Sequence, residues 1–213
     1  MSIERAAQLY ERAVFGGDTS AVETAERELA AVEADLALAR GRIRHARFLQ
    51  GSGEDPEELT LFQRAAQLYR ELRDVRGEAD ALFWIGTFHQ VVRQDGTAAV
   101  PFLVRSRDLA AEAGDALIMS YALRHLGIAE HAAGRLDAAR HLLEESTRLR
   151  RGLGFLPGVA ANLVGLAYIA AAGGRQDEAL ALAREARDIA ATSDAQAIVR
   201  HADEARAHIT ALP

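Results

Sequence analysis

The chain has 213 residues, 49% of them apolar and 26% charged, with a formal net charge of −6. That is enough apolar material for a buried core, and the acidic balance gives no overall field for nucleic acid or an anionic membrane. There is no cysteine and all 25 basic residues are arginine, which excludes disulfides, thiolate metal sites, a cysteine nucleophile, a lysine Schiff base and a lysine-bearing P-loop.

The start, MSIERAAQLYERAV, carries no apolar run behind a basic stretch, so no secretory leader is expected and the chain reads as cytoplasmic. All-arginine usage fits a GC-rich bacterial genome. Helix formers dominate throughout, Pro stands only at 56, 101, 157 and 213, and no run alternates β-branched residues in the manner of a strand. The first helical segment holds the phrase RAAQLY at Arg5 to Tyr10, which returns at Arg64 to Tyr69, 59 residues later. After Gly16-Gly17-Asp18, Ser20-x-x-Glu23 reads as a capping box for a long helix from Ser20 to about Gln50. Beyond the loop GSGEDPEE, Asp55-Pro56-Glu57-Glu58 sets Pro at a first helical position. Later breaks fall at Asp95-Gly96, Gly114-Asp115, Gly134, Gly152 to Gly154 and Gly173-Gly174, and Ser193-x-x-Gln196 reads as the opening of the last helix.

The segments repeat. Leu103-x2-Ser106-x2-Leu109, Leu143-x2-Ser146-x2-Leu149 and Ala183-x2-Ala186-x2-Ile189 recur at 40-residue steps. Ahead of them lie Leu82-x2-Ile85-Gly86, Leu123-x2-Leu126-Gly127 and Leu163-x2-Leu166-Ala167, with Gly165 an alternative small residue in the third. A small residue at one fixed place lets paired helices approach closely, and a helix pair that cannot bury its own apolar face must stack on neighbours.

These residues resemble the tetratricopeptide repeat (TPR) family. The resemblance rests on Leu82/Ile85/Gly86/His89 and Leu123/Leu126/Gly127/Glu130 in first helices, and on Ala139-x3-Leu143-x2-Ser146 and Ala179-x3-Ala183-x2-Ala186 in second helices. The turns GRLDAA at Gly134 and GRQDEA at Gly174 are also TPR-like, and the long period is similar to kinesin light chain repeats and to sensor domains of large bacterial activators. It implies an all-α, right-handed TPR-like α-solenoid of about ten helices over residues 1–213. Residues 1–77 are degenerate N-terminal repeats with a capping helix, 78–191 hold the three clearest units with the third from about 156, and 194–211 form a C-terminal capping helix. The repeated RAAQLY is then packing rather than a catalytic motif.

The family binds along a concave face lined by first helices. Projected here, that face offers Phe83, Thr87 and Gln90, then Tyr121, Arg124, Ile128 and His131, then Asn162, Val164 and Tyr168. The resemblance implies a non-catalytic scaffold for a protein or peptide partner, with no cofactor. The alternative is a stand-alone regulatory module that senses a small molecule and acts through another protein, and a homodimer is also left open. No nucleophile elbow or marked carboxylate pair points to an enzyme.

Other stretches carry weaker expectations. Arg40, Arg42, Arg44, His45 and Arg47 read as a salt-bridged helix face neutralised by Glu26, Glu28, Glu33 and Asp35 rather than as a nucleic-acid site. His201, Glu204 and His208 share a helix side but lack the four-ligand spacing of a zinc site, so no metal is expected. The uncharged residues 155–174 read as a buried central helix, not a membrane span, and GLGFLPG at Gly152 to Gly158 lacks the preceding strand of a dinucleotide loop.

Overall fold

The computed structural model describes residues 3–212, which form ten α-helices and no strand. They divide into two compact units, Met1–Ala113 and Gly114–Pro213. The first unit holds α1 (Ile3–Gly16), α2 (Ser20–Leu49), α3 (Pro56–Leu72), α4 (Val75–Thr87), a π-turn over Phe88–Val92, and α5 (Gly96–Glu112). The second holds α6 (Ala116–Ala132), α7 (Leu136–Gly152), α8 (Leu156–Ala172), α9 (Gln176–Thr192) and α10 (Gln196–Thr210). Within each unit every helix packs on the next in sequence.

The small residues of the repeat act as holes for large ones. A Cβ on Gly86 of α4 would lie 2.7 Å from both Cδ2 and Cγ of Leu103 in α5. Gly127 of α6 receives Leu143 of α7 in the same way, and a Cβ on Gly165 of α8 would lie 2.6 Å from the other Leu143 methyl, Cδ2. Gly41 of α2 receives Phe62 of α3, which extends the pattern one repeat earlier. Phe62-x2-Ala65-x2-Leu68 stands 41 residues before Leu103-x2-Ser106-x2-Leu109, and all three of its members are buried. The second RAAQLY therefore lies on a second helix of a repeat, with Ala65, Ala66, Leu68 and Tyr69 in the core. The first copy, in α1, buries only Leu9 and leaves Tyr10 63% exposed.

Helix ends recur on a 20-residue step. Gln94, Gly114, Gly134, Gly154, Gly174 and Asp194 all have φ between 54° and 75°. At Gly134, Gly154 and Gly174 the next residue's N–H donates to the carbonyl five residues back, as Phe155 does to Arg150 at 2.9 Å. This closes the helix with a left-handed residue for which glycine has no steric cost.

Start signals are met unevenly. Asp55 caps α3 by accepting from Glu57 N–H at 2.9 Å, with Pro56 at the first turn. The capping box at Ser20 does not form: Ser20 lies inside α2 and its hydroxyl donates to the Asp18 carboxylate at 2.7 Å. The hydroxyl is turned to donate to a charged acceptor rather than to accept from a backbone N–H. Ser193 likewise closes α9 by donating to the Ile189 carbonyl at 2.8 Å, and α10 begins only at Gln196.

Arg42, Arg44 and His45 of the arginine-rich stretch are paired with carboxylates, but not those of their own helix. Arg42 meets Asp80, Arg44 meets Asp55 at 2.7 Å and also Glu57, and His45 meets Glu58 at 2.8 Å. Glu28, Glu33 and Asp35 instead hold Arg5, Arg64 and the Tyr69 hydroxyl. On one helix only residues three or four apart face each other, so carboxylates several turns upstream do not reach these arginines. The uncharged stretch forms α8, ten of whose residues are buried. Among the described residues no helix is long and apolar enough to cross a membrane.

Candidate functional site: a cleft in the second unit

Unit Gly114–Pro213 contains a cleft of about 340 Å³. Helix α6 supplies Arg124, Ile128 and His131, α8 supplies Val164, Gly165 and Tyr168, and α10 supplies His201 and Glu204. The spacing of three and four residues along α6 and α8 sets each group on one helix side. Gly165 adds no side chain to the cleft, leaving room that any Cβ would take against Leu143. The result is an apolar floor carrying a guanidinium, two imidazoles, a phenol and one carboxylate. His208 lies outside the cleft lining, with its ring 5.7 Å from that of Tyr168. Among the described residues no cluster of three His, Asp or Glu side chains is placed to hold a metal ion.

Arg124 is fixed from behind. Its Nη1 donates to the Ala161 carbonyl at 2.7 Å and to Asn162 Oδ1 at 3.2 Å. Arg150 of α7 donates from Nη1 to the same Asn162 oxygen at 3.0 Å and to the Gly158 carbonyl at 2.8 Å, and from Nε to Ser120 Oγ at 3.2 Å. Asn162 Nδ2 donates to Ser146 Oγ at 2.8 Å, and Ser146 donates to the Ser120 carbonyl at 2.6 Å. Side chains of α6, α7 and α8 are thus joined through one buried amide.

These acceptors are neutral: two backbone carbonyls, the Asn162 amide oxygen and the Ser120 hydroxyl. Burial pulls the pKa of both arginines down to about 10, and for Arg150 the nearby Arg124 charge adds to the effect. Arg150 is 1% exposed and its Nη2 has no hydrogen-bond partner among the described residues. Its guanidinium lies 5.0 Å from the Tyr121 ring centroid and 5.6 Å from that of Phe155, contacts that offset part of the desolvation. A buried charge without an ion-pair partner is costly, and here two such charges lie behind one cleft.

The remaining expected residues have separate settings. Phe83 and Thr87 are buried in the first unit, Phe83 edge-on to Trp84 at 5.2 Å and the Thr87 hydroxyl without a hydrogen-bond partner among the described residues. Gln90 is half-buried in the π-turn. Tyr121 is half-buried beneath Arg150, and Asn162 is fully buried at the centre of the network. Arg150, Ser120 and Ser146 were not singled out from the sequence as site residues. The repeat register exposes them: Arg150 stands where the neighbouring repeats have Ala110 and Ala190, and Asn162 where they have Ala122 and Ala202.

The helix hairpins, the close-packing small residues and the left-handed turns define the TPR-like α-solenoid class. Solved structures agree. A point variant of a Podosopora anserina protein described as a kinesin light chain with nearly identical TPR-like repeats superposes with a TM-score of 0.55 at 18% identity, covering 84% of this chain and 92% of that one. Another structure of that Podosopora anserina description gives a TM-score of 0.54 at 17% identity, over 85% of this chain and 96% of the other. No family model and no curated protein matches the sequence. The likeness is therefore one of fold.

Proposed function

We propose that the chain is a non-catalytic binding module whose second unit takes a peptide segment of a partner protein in the cleft of α6, α8 and α10. The observation that carries this reading is that Arg124, Ile128, His131, Val164 and Tyr168, five of the ten residues projected from the TPR resemblance, line one cleft with His201 and Glu204. TPR-like repeats are generally protein-interaction scaffolds, and an apolar floor with a few fixed polar groups suits side-chain anchors. Phe83, Thr87 and Asn162 are left out of the proposed contact surface because their side chains are buried.

The test is selection from a random peptide display library on the whole chain, followed by calorimetry with the enriched peptides. Peptides should bind the wild type and lose at least roughly tenfold in affinity with Tyr168→Ala or Glu204→Arg, about 1.4 kcal/mol. If no peptide is enriched, or both variants bind as wild type does, the reading fails. A second reading, small-molecule sensing, draws on the cleft volume of about 340 Å³, which falls in the range of ligand sites. Native mass spectrometry showing a copurified small molecule that Tyr168→Ala releases would favour it.

A further inference from the structure

Helix α2 is apolar on two opposite sides. On one, Ala34, Ala37, Leu38, Gly41 and His45 are buried against the rest of the first unit. On the other, Val22, Leu29, Leu36 and Ile43 recur every seven residues and remain 51%, 43%, 48% and 59% exposed. Three residues after each come Ala25, Val32, Ala39 and Ala46, so this side is a continuous a/d heptad seam. From Val22 to Ala46 it runs roughly 36 Å at the helical rise per residue. Packing within the first unit accounts for the opposite side; on this one it half-buries Ala25 and Val32 and leaves the row Val22, Leu29, Leu36 and Ile43 exposed with Ala39 and Ala46, and an exposed apolar row of that length marks an interaction site.

The charges flanking the seam select its occupant. The row that follows the alanine-rich positions reads Glu26, Glu33, Arg40, Arg47, acidic in the first half and basic in the second. We propose that the seam pairs with the α2 seam of a second copy of the chain, antiparallel, about a two-fold axis near Leu36 and Val32. In that register Val22 layers on Ala46 of the second copy, Leu29 on Ala39, Leu36 on Val32 and Ile43 on Ala25. The same register sets Glu26 opposite Arg47 and Glu33 opposite Arg40, and the two-fold axis repeats each pair. Parallel pairing would set this row against the opposite flank, whose Glu28, Asp35 and Arg42 are already held within their own unit.

The other flank takes no part. Glu28, Asp35 and Arg42 are held within their own unit by Arg5, the Tyr69 hydroxyl and Asp80. Glu26, Arg40 and Arg47 are exposed. Glu33 holds Arg64 at 2.7 Å with its side chain still 51% exposed, which leaves its second oxygen accessible to an incoming arginine. Alanine in three of these four layers lets the two helices approach closely.

Sedimentation velocity on the full chain tests the pairing. The wild type should sediment as a dimer of the 23.0 kDa chain, and Leu36→Glu as a monomer with unchanged helical circular dichroism. Glu26→Arg with Glu33→Arg makes the row wholly basic, and Arg40→Glu with Arg47→Glu makes it wholly acidic. Each should self-associate roughly 10- to 100-fold more weakly than wild type, and an equimolar mixture of the two should recover the dimer. A monomeric wild type overturns the proposal. A dimer insensitive to Leu36→Glu also overturns it, by placing the interface elsewhere. Charge-reversed proteins that dimerise alone, or that stay monomeric when mixed, overturn the antiparallel register.

Discussion

Gly86→Ala tests the packing rule on which the repeats are built. The new methyl would sit 2.7 Å from both Cδ2 and Cγ of Leu103 and 3.3 Å from the Ala99 carbonyl oxygen. Ordinary carbon contacts begin near 3.5 Å, so something must move by most of an ångström. Leu103 is fully buried, and because its branch carbon rather than only a terminal methyl is in the way, a rotamer change does not relieve the contact. Overpacking of this kind costs about 1–3 kcal/mol, against a gain of about 1 kcal/mol from replacing glycine inside a helix. The net expectation is a loss of up to about 2 kcal/mol, read from urea denaturation followed by circular dichroism at 222 nm. Two companions fix the cause. Gly152→Ala, with nothing within 4 Å of the added methyl, should gain up to about 1 kcal/mol. In a Leu103→Ala background, where a cavity replaces the obstruction, Gly86→Ala should be neutral or stabilising. A Gly86→Ala protein that gains as much stability as Gly152→Ala would refute the close-packing argument.

Other expectations follow from single side chains. Asn162→Leu removes the shared neutral acceptor of Arg124 and Arg150 and should cost about 1–3 kcal/mol in a thermal melt. Combining it with Arg150→Met should recover much of that loss, because an apolar replacement removes the stranded charge. Phe62→Ala empties the Gly41 hole and unstacks Trp84, 5.6 Å away, for about 3–5 kcal/mol, with the loss appearing in the tryptophan fluorescence transition. Burial holds the Glu58 carboxyl above its ordinary value of 4.5, with the His45 hydrogen bond opposing. A raised folded pKa gives its full stabilisation below the unfolded value and loses it as pH rises through the folded one. Glu58→Gln should therefore gain on wild type as pH increases above 4.5, and a pH-independent difference between the two proteins would contradict this.

The helix hairpins were legible because Gly86, Gly127 and the Leu103 and Leu143 positions recur at a nearly constant step, and each pair does meet in the structure. One earlier repeat was missed because its large residue is Phe62 and its small one Gly41, outside the leucine pattern. The two failed caps share a cause: a serine hydroxyl donates as readily as it accepts, and Asp18 and the Ile189 carbonyl took the proton. Cleft residues could be picked by register, since helix periodicity places Arg124, Ile128 and His131 on one side. Their support could not, because Arg150 looks like one more arginine in RLRRG until the alanines of the adjacent repeats are aligned with it. The π-turn at Phe88–Val92 has no proline, glycine or charge to announce it.

The left-handed residues at Gly134 and Gly174 have a consequence for how such a chain changes length. Both are followed by arginine, both close a 17-residue helix, and φ is 75° at one and 73° at the other. A cut after each, with the intervening 40 residues removed or copied, rejoins identical backbone conformations. The gene can thus be lengthened or shortened by whole hairpins through unequal recombination without a new loop having to be invented. What such an event would discard is chemistry rather than architecture: residues 135–174 carry Arg150 and Asn162.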